Sequence, residues 1–389
     1  MSRLRNLTGI LMAAGLAAAG AVIAAPTAGA HTNGHPGSFT VVADHLNNPR
    51  GLSPAPGGGL YLAEAGSGGD FCLPGGEEGD SCPGLTGSFD LVTAGGVKRI
   101  VTGLISVSGD GGAFAEGPVS VSRGPDGKFY GQFGLNTFGV PPADAIPPDR
   151  QYVRDAALAQ LGHLWLVKSD GSAKDVSDVG DQDYIWTSTR TELAPNDFPD
   201  ANPNAVLYSG GHRYVVDAGA NILTEVKQNG AVKVLAFFTV PAGWQSDSVP
   251  TCVARGPDGA LYVGELLGGF YTPGHARIWR VVPGHAPRVW ATGLTTVQGC
   301  GFGKDGAFYA TEFETNGLAE GPGANPAGDV VRIDKHGHRT HLGVGKLLYP
   351  SGFAAGSDGA IYVSNCSIAP ATGMGPGLCP TGGQVVRIG

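Results

Sequence analysis

The chain has 389 residues, of which 66 are glycine, and only 15% of its residues are charged, with a formal net charge of −8. So high a glycine content without a Gly-X-Y period excludes collagen and indicates a fold rich in sharp turns. The mild acidity, with no stripe of basic residues, excludes a nucleic-acid-binding surface.

The first thirty residues are organised like an export signal. Two arginines near the start are followed by an apolar stretch at 10–25 and by an Ala-Gly-Ala cleavage triplet. We therefore expect a signal peptide at 1–30 that is cleaved after Ala30. A flexible mature N-terminus at 31–37 follows, and the protein is expected to be secreted, with no stable membrane insertion.

A short phrase recurs along the rest of the chain: a Pro-Asp-Gly type of turn, then an apolar strand centred on tyrosine. Asp-Gly or Gly-Gly between alternating apolar runs is a strong β-hairpin signal, because these residues tolerate the positive φ of a tight turn. The last copies follow at intervals of about 50 residues, the length of a four-stranded propeller blade. The repeat tyrosines are Tyr61, Tyr130, Tyr214, Tyr262, Tyr309 and Tyr362.

The two ends of the mature chain predict how the repeats close into a ring. Residues 383–388 read as the third strand of a sixth blade with no fourth strand after it, and residues 38–42 read as an orphan strand. Pairing them removes an exposed sheet edge. The predicted fold is an all-β, six-bladed β-propeller over 38–389, closed by pairing of its N- and C-terminal strands. A β-sandwich is the alternative, but it does not account for six repeats. The one amphipathic helical pattern covers 154–160.

Six cysteines are typical of a protein from an oxidising compartment. The first two bracket a glycine-rich loop in the first blade, and the last two bracket a loop in the sixth. Cys252 and Cys300 fall in the inner strands of consecutive blades, where an inter-blade disulfide is expected. Sequence alone allows fifteen connectivities for six cysteines. The candidate disulfide residues are Cys72, Cys82, Cys252, Cys300, Cys366 and Cys379.

Oxygen-bearing side chains follow the repeat tyrosines at a fixed distance of three residues. Equivalent positions of a radial fold lie on one face, so they could surround the mouth of the channel. Oxygen ligands suit a hard cation such as Ca²⁺. The alternative is that each side chain caps its own loop. The candidate metal ligands are Glu64, Asp217, Glu265, Glu312 and Asn365, with Phe133 at the sixth position.

An insertion at 181–204 is rich in aromatic and acidic residues. Binding residues concentrate on loops carried by a rigid scaffold, and aromatic rings over a channel mouth could stack on a planar ligand. The same residues could instead form a hydrophobic lid for the propeller. The ligand-loop candidates are Asp183, Tyr184, Trp186 and Asn221.

Three histidines, His336, His338 and His341, lie close together near the turn of an outer hairpin. A transition-metal site would need them to converge away from solvent, whereas this turn is expected to be exposed. The sequence therefore favours solvated side chains here.

Two segments resemble a known family. The run Tyr214–Asn221 is similar to the Y-V-x-D-A-G-x-N signature of the ScyD/ScyE family, and 256–266 resembles its G-P-D-G-x-L-Y-V-G-E-L run. The likeness covers nearly the whole mature chain. It implies an exported propeller of the NHL or lactonase type. The family pattern N-P-Y reads Asn-Pro-Asn at 202–204, and the family name carries no substrate to this chain.

Two functions follow as hypotheses. The first is an extracellular scaffold that recognises a small molecule, glycan or protein on the top face of the propeller. The alternative is a metal-assisted, lactonase-like hydrolase or a late-step biosynthetic enzyme that uses the ring of carboxylates. No catalytic residue is assigned, no cofactor other than Ca²⁺ is expected, and a monomer is expected.

Overall fold

The computed structural model describes residues 38–75, 79–195, 197–241, 243–244, 246–267, 273–317 and 325–389. Its strands form six four-stranded antiparallel sheets, each made of strands that follow one another in the chain, except where the ring closes. This confirms the all-β, six-bladed propeller. The expected signal peptide and flexible N-terminus lie outside the described residues.

The strands are numbered in chain order, and the first one, β1 (Phe39–Leu46), joins the last blade. Blade 1 contains β2 (Pro49–Pro54), β3 (Leu60–Glu64), β4 (Cys82–Thr93) and β5 (Gly96–Ser108). Blade 2 contains β6 (Pro118–Arg123), β7 (Phe129–Phe133), β8 (His163–Val167) and β9 (Ala173–Asp178). Blade 3 contains β10 (Pro203–Ser209), β11 (His212–Asp217), β12 (Ile222–Val226) and β13 (Val232–Phe237).

The second half of the ring repeats this arrangement. Blade 4 contains β14 (Pro250–Arg255), β15 (Leu261–Glu265), β16 (Ala276–Val281) and β17 (Arg288–Leu294). Blade 5 contains β18 (Val297–Phe302), β19 (Phe308–Glu312), β20 (Ala327–Ile333) and β21 (Arg339–Leu348). Blade 6 contains β22 (Phe353–Ala355), β23 (Ile361–Asn365) and β24 (Gly383–Ile388), with β1 as its fourth strand.

The ring closes between β1 and β24, as the sequence predicts. Phe39 lies opposite Ile388 in an antiparallel ladder. Beyond the ladder, the Gly389 amide donates to the Ser38 carbonyl at 3.1 Å. The N-terminal strand therefore covers what would otherwise be an exposed edge of blade 6.

The recurring sequence phrase has a structural reason beyond its turn. In blade 4, Asp258 accepts hydrogen bonds from the Tyr262 hydroxyl at 3.1 Å and from Arg280 at 2.8 Å, and Gly259 takes the positive φ of 80°. The aspartate thus ties the hairpin turn to the second and third strands of its own blade. Blades 5 and 6 repeat this contact as Asp305–Tyr309–Arg332 and Asp358–Tyr362–Arg387.

Neighbouring blades are joined by buried apolar side chains and by hydroxyl groups near the axis. The Thr251 hydroxyl donates to the Val297 carbonyl of the next blade at 2.6 Å, and the Thr311 hydroxyl donates to the Ser351 carbonyl at 2.7 Å. Ser364 closes the ring by donating to the Arg50 carbonyl of blade 1.

Three disulfides join the six cysteines, in the pairs that the sequence suggests. Cys252 and Cys300 link β14 to β18 across the interface of blades 4 and 5. The other two bridges close local loops, Cys72–Cys82 in blade 1 and Cys366–Cys379 in blade 6. Disulfides are typical of proteins outside the reducing cytosol.

Within the part of the chain that the structure describes, two α-helices lie between the strands, α1 (Gln151–Gln160) and α2 (Val179–Ser188). The first contains the helix expected at 154–160. The second lies in the insertion that was expected to be a loop, and its N-terminus is capped by Asp178, which accepts from the Asp181 amide at 3.0 Å. No helix within the described ranges is long and apolar enough to cross a membrane. Short 3-10 turns cover Pro56–Gly58, Asp110–Gly112, Pro125–Gly127, Thr137–Gly139, Ala143–Ala145 and Pro148–Arg150.

Candidate functional site

The six positions that follow the repeat tyrosines by three residues all lie at the end of the second strand of their blade. Each of these six residues is buried, with at most 5% of its surface exposed. The equivalence expected from the repeat is therefore present in the fold. They are Glu64, Phe133, Asp217, Glu265, Glu312 and Asn365.

The five oxygen-bearing side chains accept hydrogen bonds close to their own strand ends. In four blades the side-chain oxygen accepts the backbone N–H of a residue that precedes the first strand, at 2.5–2.8 Å. In blade 4 the Ser248 hydroxyl makes the equivalent contact with Glu265 at 2.7 Å. Along the described chain, no three of the four acids bring their ligand atoms within 4.8 Å of one another. A metal shared by all five positions stays a prediction, and the local contacts favour the loop-capping alternative.

Arginine neutralises two of these acids. In blade 1, Glu64 forms an ion pair with Arg99, which also contacts Asp90 at 2.7 Å. In blade 4, Arg277 contacts both oxygens of Glu265, and the Trp279 indole N–H donates to Glu265 at 2.9 Å. These two blades therefore satisfy the general rule that a buried charge is paired.

The repeat-end acid of blade 3 lies next to another acid rather than an arginine. Asp217 faces Asp183 of α2, and both side chains are fully buried. Asp217 accepts the amides of Asn202 and Ala220 through one oxygen. Its other oxygen and both oxygens of Asp183 have no hydrogen-bond donor among the described residues. Burial and the neighbouring Asp217 raise the pKa of Asp183 well above its usual range.

Two further acids extend this pair into an acidic cluster, defined as Asp183, Asp200, Asp217 and Asp247. Burial, with a smaller contribution from Asp217, raises the pKa of Asp200 to about 8. Burial also raises the pKa of Asp217 and of Asp247 to about 6 each. Asp247 accepts from the amide of Asn221 at 2.9 Å. Strongly perturbed carboxyls that lie together are typical of functional sites.

An open groove of about 350 Å³ lies beside the cluster, between α2 and β13. Asp183, Trp186, Val232 and Val234 are among the residues that line it. Arg190 also lines it, with its guanidinium 4.5 Å from the centre of the Trp186 ring, and donates to the Trp186 carbonyl. The lining of the groove thus combines aromatic and aliphatic surface with one arginine and one buried acid.

Most of the expected ligand-loop residues lie around this region. Asp183, Tyr184 and Trp186 are on α2 rather than a loop, and Asn221 lies in the turn before β12. Asp183 contacts Asp217, and Asn221 contacts Asp247, so two of them belong to the cluster or touch it. Tyr184 instead stacks on Phe138, with ring centres 4.2 Å apart. Asp200 and Asp247 were missed, because they lie on separate loops and come near the other acids only through the packing of those loops.

Blade 5 holds another group that was missed. One ligand atom each of Glu312, Asp329 and His341 lies within 4.8 Å of the others, which is close enough to hold a metal ion. His341 is exposed, as expected for this hairpin, but its ring also contacts the buried Asp329 at 2.6 Å. His338 is solvated as expected, and it pairs with Asp334.

No protein-family model matches the chain, and no curated protein matches it in sequence. Solved structures match its fold. A gluconolactonase from Xanthomonas campestris is 9% identical, covering 90% of this chain and 89% of that one, with a TM-score of 0.50. The calcium-binding protein regucalcin from Agrobacterium tumefaciens is 13% identical, covering 91% and 94%, with a TM-score of 0.50. A protein of unknown function from Bacteroides thetaiotaomicron is 7% identical, covering 90% and 76%, with a TM-score of 0.54. At these identities the likeness concerns the propeller fold alone.

Proposed function

We propose that this protein is an exported binding propeller of the ScyD/ScyE type, which recognises a small organic cation at the acidic cluster of blade 3. The ligand carries a protonated amine or a quaternary ammonium group on an apolar body. Three disulfides support the export, because such bridges persist outside the reducing cytosol.

One observation carries the proposal: none of the four acids of the cluster forms an ion pair with a described residue. Burying a carboxylate without a counter-charge is costly. Glu64 of blade 1 and Glu265 of blade 4 each have an arginine partner, although burial still raises the pKa of Glu265 and, with Glu64 nearby, raises that of Asp90 to about 9. Blade 3 has no such arginine partner among its described residues. A cationic ligand would supply one, in keeping with the raised pKa values of Asp200, Asp217 and Asp247.

The surroundings favour an organic cation over a metal ion. The acids of the cluster do not meet the 4.8 Å spacing that a metal site requires, which only the blade 5 group meets among the described residues. The adjoining groove, at about 350 Å³, lies within the usual range for small-molecule sites. Its two valines offer surface for the body of a ligand, and the Arg190 guanidinium 4.5 Å from the centre of the Trp186 ring shows that this aromatic surface already attracts a cation.

Recognition is better supported than the metal-assisted hydrolase. That alternative needs the repeat-end carboxylates free to hold a metal at the channel mouth. In this chain Glu64 and Glu265 are paired with arginine, so the ring of carboxylates as a whole is not free to hold a metal.

Calorimetric titration of the secreted protein tests the proposal. The probes are benzylammonium, tetramethylammonium and putrescine, with benzyl alcohol and benzoate as neutral and anionic controls of similar shape. Asp200→Asn and Asp247→Asn are expected to weaken the binding of the cations by about tenfold or more. Asp258→Asn, at a paired surface turn, serves as the control and is expected to leave binding unchanged.

Two results would overturn the proposal. One is that none of the three cations binds at concentrations up to about 10 mM, a limit far weaker than ordinary small-molecule recognition. The other is binding that is equal for cation, alcohol and benzoate, or that both cluster variants leave intact.

A further inference from the structure

The group on blade 5 differs in chemistry from the acids of the other blades. Glu312 ends β19, Asp329 lies directly opposite it on β20, and His341 lies on β21. Glu312 and Asp329 are each 5% exposed, whereas about half of the His341 side chain is open to solvent. Two buried carboxylates are therefore closed on their outer side by an accessible imidazole.

Strand register shows which residues take these places in blade 1. His341 pairs with Val331, which pairs with Ala310, two residues before Glu312. In blade 1, Arg99 pairs with Asp90, which pairs with Leu62, two residues before Glu64. His341 thus occupies the position from which Arg99 neutralises the acids of blade 1.

The position of Asp329 is equally informative. Asp329 lies two residues before Val331 on the third strand of blade 5. In blade 4 the matching residue is Arg277, which lies two residues before Trp279 and pairs with Glu265. Blade 5 therefore has the carboxylate of Asp329 where blade 4 has the guanidinium of Arg277. It has His341 where blade 1 has the guanidinium of Arg99. Of the three blades with a repeat-end glutamate, only blade 5 lacks an arginine partner for it among the described residues.

An unsatisfied atom points into this group. Asp329 accepts from His341 through one oxygen, and its other oxygen is buried with no hydrogen-bond partner in the described structure. The Glu312 side chain uses one oxygen to accept the Thr295 amide at 2.7 Å. The two carboxylates bring a formal charge of −2, which a divalent cation would balance where the other blades use arginine.

We propose that Glu312, Asp329 and His341 form a binding site for a divalent transition-metal ion, with Zn²⁺ the best match. An imidazole ligand suits Zn²⁺ better than Ca²⁺, which takes oxygen ligands, and three protein ligands leave a coordination position for water. The bound ion clamps the second, third and fourth strands of blade 5 together. This site is separate from the acidic cluster of blade 3 and does not depend on the ligand proposed there.

The experiment uses the secreted protein without a histidine tag. Zn²⁺ binding is measured by calorimetry and by metal analysis after dialysis, and Ca²⁺ is titrated in parallel. His341→Arg copies the blade 1 arrangement, so this variant is expected to fold and to lose Zn²⁺ binding. His341→Gln and Asp329→Asn are expected to weaken it at least tenfold. His338→Gln, on the same hairpin but paired with Asp334, is the matched control and is expected to bind like the wild type.

The expected wild-type result is one Zn²⁺ bound per chain, with Zn²⁺ raising the melting temperature and Ca²⁺ leaving it unchanged. The inference is overturned if the wild type retains no Zn²⁺, or if His341→Arg and Asp329→Asn still bind it as tightly. Loss of binding in His338→Gln alone would also overturn it, because the ion would then lie at the exposed turn. The melting curve of each variant without metal shows whether it has folded.

Discussion

The pKa of Asp200 predicts how the stability of one variant of the acidic cluster depends on pH. The unfolding free energy of Asp200→Asn is expected to exceed that of the wild type by an amount that grows as the pH rises. Burial raises the pKa of Asp200 from an ordinary value of 3.8 to about 8. The folded chain therefore keeps this proton up to about pH 8, whereas the unfolded chain releases it near pH 4. The contribution of Asp200 to the free energy of unfolding is therefore fully present at acid pH, and it is lost as the pH rises from about 4 to about 8.

The size of the effect follows from the two pKa values. Each pH unit between them costs about 1.36 kcal/mol, so the penalty grows by about 3.5 kcal/mol from pH 5 to pH 8. An asparagine in place of Asp200 cannot ionise, and its amide oxygen can still accept the Ala201 N–H that Asp200 accepts at 2.8 Å. The variant is therefore expected to gain that difference over the wild type.

Urea unfolding of Asp200→Asn and the wild type at half-unit steps from pH 4.5 to 8.5 measures this gain. The difference in unfolding free energy is expected to be small at pH 4.5, to rise through neutral pH and to level off above pH 8. A difference that is constant across this range would refute the reasoning, because it would mean that Asp200 ionises alike in both states. A fall with pH would mean that a cation already compensates its charge.

Three other perturbations test the architecture. Replacing both Cys252 and Cys300 with alanine opens a loop of 48 residues and is expected to cost about 4 kcal/mol in urea unfolding, so a loss below about 1 kcal/mol would argue against the inter-blade bridge. Arg99→Met leaves the buried Glu64 without its cationic partner and is expected to cost about 3 kcal/mol at neutral pH; an unchanged urea midpoint would show that Glu64 needs no cation. Asp258→Asn removes a partly exposed ion pair and keeps an amide oxygen that can accept the Tyr262 hydroxyl, so it is expected to shift stability by less than about 1 kcal/mol; a larger loss in thermal unfolding would show that the charge of Asp258 is needed to hold the turn.

The sequence predicted much of the fold because the repeat encodes it locally. Each Asp-Gly turn specifies a hairpin, and Asp258 shows that the same aspartate also contacts the second and third strands of its blade. Closure between β1 and β24 followed from counting strands. The inter-blade disulfide could be anticipated because Cys252 and Cys300 have nearly equivalent positions in consecutive repeats.

Side-chain direction was harder to predict than strand position. Glu64 lies at the strand end where it was expected, yet its partners are a backbone amide and Arg99 of its own blade. That choice depends on which residue the fourth strand places opposite, and irregular register in β4 and β5 hides it from the sequence. His341 could not be predicted for the same reason. The register of the β20–β21 ladder shifts at Asp329, so the sequence does not reveal that His341 lies near this residue.

The acidic cluster could be found only in part. Asp217 was visible because the repeat marks it, and Asp183 because its insertion is rich in acids and aromatics. Their contact is long-range and requires α2. The sequence of this helix shows no helical pattern of apolar residues, and its N-terminus is capped by Asp178. Asp200 then joins the pair through loop packing, beyond what spacing encodes.

The central claim, that the cluster binds a cation, is tested most directly by counting the protons that binding releases. At pH 7 Asp200 is mostly protonated, and a bound cation lowers the pKa of the acids around it. Calorimetric titration with the tightest-binding organic cation, repeated in two buffers of different ionisation enthalpy, is expected to show release of about one proton per ligand. The release should disappear in Asp200→Asn. Binding with no proton release, or with proton uptake, would contradict the claim.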